Sequence, residues 1–560
     1  MLRRDSAAAA PSPSPALRET KANTAYPRLR GAAPGRFATV FRAAPSSFLD
    51  LCQTKSLINC AYYSDQYEGR LIVRIDDSGD PSLLDAKFDA AILQDLKLLG
   101  VTPDAVTRTS DYFVRCEQMA ERLIMTGRAY IDLIPDDVAS IDGYVPSCRG
   151  RPPAESLHLF QLLCVGHPEG KRYCLRARSG LPGAGASEQP HGLGSCSPSV
   201  RRQHDPIIYQ HGRDEPHYRQ AYPTPVFAAP VVDAFEGVTH ALLTTDDDDL
   251  FYTWVQRALG MLPVVASTFG KVELSESALT QHHMHELVAR KAALGWDDPR
   301  LPTLRGLVRR GMSMAPLRAH LLSLGASRRA TQVKWESLWS ANRKFLEPLA
   351  PRYMAVRRDG CVCMTVARAP PGVTTLSVPM HPRNEALGTR TLHVGDCVLL
   401  DAQDAESIEE GEEVTLLRWT SVLVTCIQRE CTRGATQSLS SEYLPIFKFL
   451  KRKRAVTWLA NRPDLVPLKL VEFGPILTRA IGLEDSAMAA YNRQSVHCVD
   501  ALGDPELRLL KANDLIQLER LGFFRVDTPY KGPHEPMVLF MVPDGKGKSK
   551  HCSSPTSSVL

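Results

Sequence analysis

RLIVRIDD, residues 70–77, is the stretch that decides the fold. Its apolar, β-branched beginning is typical of a buried strand, and it ends in the carboxylate pair Asp76 and Asp77. Helical periodicity follows over residues 87–99 and stops at Gly100. Strands that alternate with helices predict a parallel sheet, and such sheets bind ligands beyond the carboxyl ends of their strands. Asp76 and Asp77 therefore mark a candidate ligand site.

Composition limits what surrounds this strand. The chain has 560 residues, with 67 Lys+Arg against 62 Asp+Glu and a net charge of +5. This length predicts about three or four domains. The 14 cysteines are scattered, without the Cys/His spacing of a zinc site, and predict reduced thiols and no metal centre. No window reaches the ~18 apolar residues of a membrane helix, so no membrane partner is expected.

Changes in character along the chain predict its domains. The lead is rich in Ala, Ser, Pro and Arg, which favours disorder, although an organelle address is an alternative. The predicted order is a disordered N-terminal extension at 1–36, a strand–helix domain at 37–280 with an insertion at about 115–220 that includes a flexible Gly/Pro/Ser-rich segment at 179–200, a helical connector at 281–355, short strands of β-barrel type at 356–545, and a disordered tail at 546–560.

Several motifs in one order carry a family resemblance. They are RIDDSGD at 74–80, VDAFEGVTHA at 232–241, GWDDPRLPT at 295–303, PLAPRY at 348–353, VPMHPRN at 378–384 and QLERLGF at 517–523. Together they resemble the class I glutamyl- and glutaminyl-tRNA synthetases, in their eukaryotic and archaeal branch, from about residue 36 to 545. The resemblance implies an α/β fold, with a Rossmann-like catalytic domain, an acceptor-stem insertion, a helical connector and C-terminal anticodon-binding β-barrels.

The family activates glutamate with ATP and Mg²⁺ before transferring it to tRNA, and two signatures serve that step. The H-I-G-H signature, at a helix start that faces phosphate, falls on Asp50, Leu51, Cys52 and Gln53. An acidic residue there has the wrong charge for a phosphate. The basic V-L-S-K-R-K-L signature falls on VELSESAL, residues 272–279, where Ser275 is kept and Glu276 replaces a basic residue. In another register, Lys271 would be the loop lysine.

The positions that grip glutamate in the family are also substituted. By the resemblance, an arginine falls on Val40, a tyrosine on Pro225 and a second arginine on Leu243. A carboxylate substrate needs cationic donors that apolar side chains lack. Arg42 lies near enough in sequence to compensate, and Asp76 and Asp77 remain for an amino group.

The β-barrel half keeps the family pattern better. The resemblance assigns anticodon contacts to Arg390, Gln517 and Arg520. The alternative for Arg520 is a simple ion pair with Glu519 on a barrel surface.

Three hypotheses follow. The first is a glutamyl-tRNA synthetase homologue that binds tRNA but has lost, or largely lost, aminoacylation, and so needs no cofactor. The second is an active glutamate–tRNA ligase that uses ATP and Mg²⁺ through divergent residues. The third is a scaffold for protein contacts in a multi-synthetase or ribosomal assembly. A cytoplasmic location is expected, with a mitochondrial one as the alternative.

Overall fold

The computed structural model describes residues 25–79, 85–134, 148–179, 205–212, 220–244, 249–274, 279–369, 374–429, 435–444, 454–482 and 485–546. The chain divides into two compact units. The first consists of Met1–Glu273 with Arg318–Gln332, and the second of Leu274–Leu317 with Val333–Leu560.

Helices and strands alternate in the first half of the chain, and strands dominate the second. The elements are β1 (Ala38–Ala43), α1 (Leu51–Gln66), β2 (Arg70–Ile75), α2 (Ala86–Leu98), β3 (Ala105–Arg108), α3 (Phe113–Met125), β4 (Ala129–Leu133), α4 (Pro153–Cys164), β5 (Tyr173–Ala177), β6 (Ile207–His211), β7 (Ala221–Pro223), α5 (Pro225–Phe235), β8 (His240–Thr244), α6 (Asp249–Leu259), β9 (Val265–Phe269), β10 (Val272–Leu274), α7 (Gln281–Ala289), α8 (Leu304–Arg309), α9 (Met314–Ser323), β11 (Thr331–Val333), α10 (Trp335–Leu346), β12 (Arg352–Tyr353), β13 (Ala355–Arg357), β14 (Val362–Ala367), β15 (Thr375–Pro379), β16 (Thr389–His393), β17 (Cys397–Leu400), α11 (Ala402–Glu406), β18 (Glu413–Leu416), β19 (Ser421–Arg429), β20 (Thr436–Leu444), β21 (Arg454–Val456), β22 (Trp458–Ala460), β23 (Val466–Phe473), β24 (Val496–Gly503), β25 (Leu515–Leu518), β26 (Gly522–Thr528) and β27 (Met537–Val542).

The first unit is built on a parallel sheet with the strand order β3-β2-β1-β8-β9. Its central strand β1 pairs with β2 from Ala38 to Ala43, and most of its side chains are buried. The chain adds β2 and β3 on one side of β1, and β8 and β9 on the other. The carboxyl ends of β1 and β8 therefore lie at the topological switch point of the sheet. Open α/β sheets bind their ligands at this point. The predicted Rossmann-like class is confirmed.

An antiparallel sheet, β4-β5-β6-β7, lies within the predicted insertion. Arg176 on β5 donates to Asp132 on β4 at 2.9 Å, while Tyr130 donates to Asp205 at 2.9 Å. These buried groups have partners, which limits the cost of placing charge beside the apolar core formed with α3, α4 and α5. The Gly/Pro/Ser-rich segment predicted as flexible lies, apart from residue 179, outside the described residues.

The prediction that residues 1–36 are all disordered is wrong for 25–36, which are ordered against α1. Tyr26 and Leu29 are 6% and 8% exposed and pack with Tyr63. The Tyr63 hydroxyl donates to the Pro27 carbonyl at 2.9 Å. Two well-spaced apolar anchors offset the ordering entropy of a short segment that composition alone favours as disordered.

The second unit contains two seven-stranded sheets, which confirm the predicted barrel-like domains. Their strand orders are β21-β18-β19-β20-β14-β17-β22 and β12-β25-β26-β27-β23-β24-β13. Each surrounds its own apolar core. A disulfide joins Cys363 on β14 to Cys397 on β17, so the expectation of reduced thiols is wrong for this pair. Sequence spacing did not predict it because the two cysteines meet only through strand pairing.

Across the described ranges, no helix combines the length and apolar character needed to span a bilayer.

Candidate functional site

Helix α1 begins beside the carboxyl end of β1, at the edge of the sheet where a ligand is expected. Asp50 is its N-cap residue, and one carboxylate oxygen accepts the backbone N–H of Gln53 at 2.7 Å. The Gln53 side chain accepts the Asp50 N–H at 3.1 Å and completes a capping box. The N–H groups that would face a phosphate are therefore partly bound by the chain's own carboxylate.

The Asp50 carboxyl sits in a poorly hydrated place. Burial raises its pKa, against the hydrogen bonds from Gln53 and Cys52 and the nearby positive charge of Lys271, which lower it. Lys271, the alternative loop lysine, is thus close enough to act on Asp50. The positive charge of Lys271 therefore stabilises the Asp50 carboxylate at the helix start.

A small cavity lies between the first turns of α1 and the ends of β8 and β9. Its volume is about 10 Å³, which is room for about one water. It is lined by Cys52, Lys55, Ser56, Asn59, Leu242, Leu243, Thr244, Phe269, Gly270 and Val272. Ligand pockets usually hold ~300–1,000 Å³, so this cavity by itself is too small for a nucleotide.

Lys55 lines this cavity, and its burial is not evident from the sequence alone. Its ammonium donates to the Tyr26 hydroxyl at 3.0 Å and to Asn59 Oδ1 at 2.8 Å. Burial lowers the pKa of Lys55 to about 7. The signal that could have found Lys55 is its position three residues after Cys52, on the same face of α1.

Two of the substituted glutamate-gripping positions have become part of the core. Val40 on β1 and Leu243 on β8 are each 2% exposed and belong to one apolar cluster, with Tyr252 on α6. Pro225 is the exposed first residue of α5, a position that suits proline because it needs no N–H donor. None of the three offers a carboxylate a donor.

The retained acidic pair is held by neighbouring hydroxyl groups. Asp76 Oδ1 accepts from Ser78 Oγ at 2.6 Å and from Thr109 Oγ1 at 3.0 Å. Both oxygens of Asp77 bind Ser110, through its N–H at 2.8 Å and its hydroxyl at 2.6 Å. Burial raises the pKa of Asp77, against those two hydrogen bonds, which lower it. The pair lies at the end of β2, as predicted, but Asp77 is fully occupied within the chain.

A buried charge network lies under the same sheet edge. Arg74 on β2 donates to Asp233 at 2.7 Å and also pairs with Glu236. The Tyr252 hydroxyl donates to Asp233 at 2.6 Å. Arg42, the residue that could compensate for Val40, is 3.9 Å from Asp233 through Nη2. Arg42 is therefore engaged with this network.

The start of α1 presents a carboxylate at the place where the resemblance puts the imidazoles of the family signature. The helix start carries its own carboxylate at Asp50, and the remaining cavity is about 10 Å³. Within the described ranges, no group of three His, Cys, Asp or Glu side chains is placed to hold a metal ion. Ser275 and Glu276, the second degenerate signature, lie outside the described residues.

The second unit contains a larger pocket, of about 580 Å³, between its two barrel-like sheets. Its lining consists of Arg352, Pro382, Leu417, Arg418, Trp419, Gln517, Glu519 and Arg520. Two predicted tRNA-binding residues, Gln517 and Arg520, are among them. Arg418 and Trp419 were not predicted, because the turn that carries them has no recognisable pattern of its own.

The pairing predicted as an alternative, Arg520 with Glu519, is wrong. Arg520 donates instead to Asp404 at 2.8 Å, and Glu519 accepts from Arg418. Arg390 does not line the pocket. Its side chain is 2% exposed, pairs with Asp504 and lies 5.3 Å from the Tyr353 ring. This geometry gives Arg390 a structural role and leaves little guanidinium surface for a base.

A parallel sheet with an inserted antiparallel sheet, followed by two barrel-like sheets, is the architecture of a class I aminoacyl-tRNA synthetase. The family model of the catalytic domain of class I tRNA synthetases (E and Q) matches residues 38–348. Two models of anti-codon binding domains of the same class match residues 350–443 and 455–527. The chain belongs to the class I glutamyl- and glutaminyl-tRNA synthetase family, as the sequence motifs predicted.

Its relatives include glutamate–tRNA ligases. The probable cytoplasmic glutamate–tRNA ligase of Schizosaccharomyces pombe is 34% identical, over 93% of this chain and 72% of that protein. The cytoplasmic enzyme of Saccharomyces cerevisiae is 32% identical, over 92% and 71%. The bifunctional glutamate/proline–tRNA ligase of Drosophila melanogaster is 32% identical, over 95% of this chain and 31% of that protein.

Proposed function

We propose that this protein binds tRNA through its two barrel-like sheets and has lost, or largely lost, ATP-dependent activation of glutamate. The observation that carries the proposal is the Asp50 carboxylate, which caps α1 where the family binds phosphate. Removing one transition-state donor typically slows a reaction ~100- to 1,000-fold. An acid in place of a donor adds repulsion of the phosphates.

The amino-acid side of the site supports the same proposal. Val40 and Leu243 lie in one apolar core cluster, so restoring an arginine at either place would bury a charge among apolar side chains. The substituted positions are therefore built into the packing of the two central strands, β1 and β8.

Binding of tRNA is supported by the pocket between the barrel-like sheets. Arginine side chains attract phosphate, and the indole of Trp419 provides a face on which a base can stack. In the family, the matched domains are described as anti-codon binding. The ligand would be a tRNA, and relatives named as glutamate–tRNA ligases favour a glutamate tRNA.

The alternative is an active glutamate–tRNA ligase with divergent motifs. Asp76 at the end of β2 and Lys271 near the start of α1 favour it, since they could orient an amino group and a phosphate. Activity by this route requires the cavity beside Cys52 to open far beyond about 10 Å³.

One assay separates these two functions. ATP–pyrophosphate exchange is measured with glutamate and a glutamate tRNA, beside the cytoplasmic S. cerevisiae glutamate–tRNA ligase as a positive control. We expect a rate at least about 1,000-fold below that control, because more than one stabilising group is missing. Exchange within tenfold of the control would overturn the proposal in favour of the active ligase.

A second assay separates tRNA binding from a role in protein contacts alone. We expect tRNA affinity to fall steeply between 50 and 200 mM salt, as phosphate contacts require. Absence of tRNA binding would leave only the scaffold function. A homologue that binds tRNA without aminoacylating it would act as a tRNA-binding member of a multi-synthetase or ribosomal assembly. Its location would be the cytoplasm or, alternatively, mitochondria.

A further inference from the structure

Two arginine–carboxylate pairs cross the cleft between the barrel-like sheets in opposite directions. Arg418, after β18 of the first sheet, donates to Glu519 Oε1 from Nε at 3.0 Å and from Nη2 at 2.5 Å. Arg520, in the turn after β25 of the second sheet, donates at 2.8 Å to Asp404 on α11, the helix between strands β17 and β18 of the first sheet. The two sheets therefore exchange charged contacts at the mouth of the pocket.

Both arginines adopt a backbone conformation that residues other than glycine rarely take. The φ angles are 68° for Arg418 and 66° for Arg520. A left-handed residue with a side chain costs on the order of 1 kcal/mol, and such residues concentrate at ligand clamps. The turns of both sheets thus hold an arginine in an unfavourable conformation that directs it across the same pocket.

The pair between Arg418 and Glu519 leaves one carboxylate oxygen unused. Both guanidinium bonds end on Oε1, while Oε2 is buried and has no hydrogen-bond partner in the described part of the chain. Glu519 is only 7% exposed and lines the pocket. A buried acceptor without a partner is costly, by roughly 1–3 kcal/mol, and a ligand donor would remove that cost.

We propose that Arg418 is a positioning residue for base selection, which rests on the proposed binding of tRNA. By holding Oε1 of Glu519, it directs Oε2 to accept a hydrogen bond from an N–H group of a nucleobase in the pocket. An ionised carboxylate only accepts, so a base that presents an acceptor at that point is rejected. Trp419 supplies the stacking face, backed by Trp458 at 5.0 Å between ring centroids.

A phosphate contact is the competing role for Arg418. Two of its donors are already bound to a buried carboxylate, and a phosphate would have to break those bonds and leave Glu519 unpaired. Arg418 therefore acts on selectivity through Glu519, whereas a phosphate contact would add the same affinity for every sequence.

The test measures binding of full-length protein to anticodon stem-loops of a glutamate tRNA. One stem-loop has the natural sequence, and others carry each anticodon base replaced in turn. We expect the wild-type protein to discriminate at least about tenfold at one position, as a good base contact does. In Arg418→Ala that discrimination should fall to about threefold or less, and Arg418→Lys should keep an intermediate part of it.

Arg368→Ala is the matched control. Arg368 lies in the same sheet region, has φ 62° and pairs with Glu442, but it is 81% exposed and does not line the pocket. Its removal should leave every stem-loop affinity unchanged.

Glu519→Gln tests the order of preference among the substituted stem-loops, which a purely structural role of Glu519 would leave unchanged. The amide keeps the shape but can donate a hydrogen bond, so the order of preference among the substituted loops should change toward bases with an acceptor. If Arg418→Ala does not fold, Glu519→Gln and Arg418→Lys still test the proposal.

Equal weakening of all stem-loops in Arg418→Ala, with an unchanged order in Glu519→Gln, would overturn the positioning role while leaving tRNA binding intact. A wild-type protein that binds neither the stem-loops nor whole tRNA would overturn both proposals.

Discussion

The edge of the parallel sheet and the cleft between the barrel-like sheets both concentrate polar side chains, but they use them differently. At the sheet edge, Asp50 caps a helix and Asp77 is bound by Ser110. In the cleft, Glu519 and Gln517 each keep a buried oxygen without a partner among the described residues. The cavity is about 10 Å³ at the first place and about 580 Å³ at the second.

Arg74 Nε and Glu236 Oε1 below the sheet edge are also buried without a partner among the described residues, but neither residue lines the cavity of about 10 Å³ or the one of about 580 Å³. The combination of unpartnered atoms with an open volume is therefore what separates the two regions. Polar groups that bind one another stabilise the chain and leave nothing for a substrate. Polar groups that stay unsatisfied beside an open volume cost stability, and a ligand can repay that cost on binding. Substitutions at the sheet edge should therefore change stability, and substitutions in the cleft should change binding.

Arg74→Ala tests the sheet edge with the largest expected effect. Burial alone lowers the pKa of Arg74, but the carboxylates of Asp233 and Glu236 raise it above its ordinary value. Removing the guanidinium leaves Glu236 buried without its cation and Asp233 with only the Tyr252 hydroxyl and the more distant Arg42, which should lower the free energy of unfolding by about 3 kcal/mol. Urea denaturation measures the loss.

Arg108→Ala is the control for this substitution. Arg108 also pairs with acids, Asp89 and Asp77, but its side chain is 41% exposed, so the loss should be no more than about 1 kcal/mol. If Arg74→Ala left stability unchanged and abolished a measurable ATP-dependent reaction, the sheet edge would still serve a ligand and the contrast would fail.

Lys55→Met tests the same region through pH. Burial lowers the pKa of Lys55 from 10.5 to about 7, so the folded chain binds fewer protons than the unfolded chain between those values. Stability due to this group therefore rises with pH across that window, by about 1.4 kcal/mol per pH unit. From pH 7 to pH 9.5, the wild type should gain about 3 kcal/mol relative to Lys55→Met. Parallel pH profiles would show that Lys55 is solvated rather than buried.

Trp419→Ala tests the cleft. Loss of a stacking face should weaken tRNA binding about 5- to 150-fold, since base–aromatic stacking contributes ~1–3 kcal/mol. Trp335, which stacks on Trp339 at 6.4 Å in α10 and does not line the pocket, gives the control Trp335→Ala. Fluorescence anisotropy with labelled tRNA measures both. Equal effects from the two variants would argue that Trp419 acts only through folding.

The sequence predicted the parts of these regions that local patterns determine. RLIVRIDD gave the strand and its terminal acids, because apolar alternation and strand ends are local features. The capping box of Asp50 and Gln53 also follows a local pattern, since the two residues have the three-residue spacing that such a box requires. The ordered segment at 25–36 was missed because its anchors lie between proline-rich stretches.

The cleft could be predicted only in part. Gln517 and Arg520 were found through a motif, but the partner of Glu519 lies 101 residues away in another sheet. Arg390 was assigned to the anticodon from its place after a motif, whereas strand β16 buries it against Asp504. Which side chain faces a cleft depends on strand register and sheet packing, and neither is encoded locally.

Asp50→Ala has the smallest expected effect and sharpens the contrast most directly. If the carboxylate serves as a helix cap, its loss should lower the free energy of unfolding by about 1 kcal/mol, and Asp50→Asn, which keeps an acceptor oxygen, should lose less than half of that. Neither variant should bind ATP in equilibrium titration, since Val40 and Leu243 fill the neighbouring core and the cavity stays near 10 Å³. ATP binding that appears in both Asp50→Ala and Asp50→Asn would mean that the carboxylate charge blocks an otherwise open site. The sheet edge would then be an inhibited ligand site rather than a structural one.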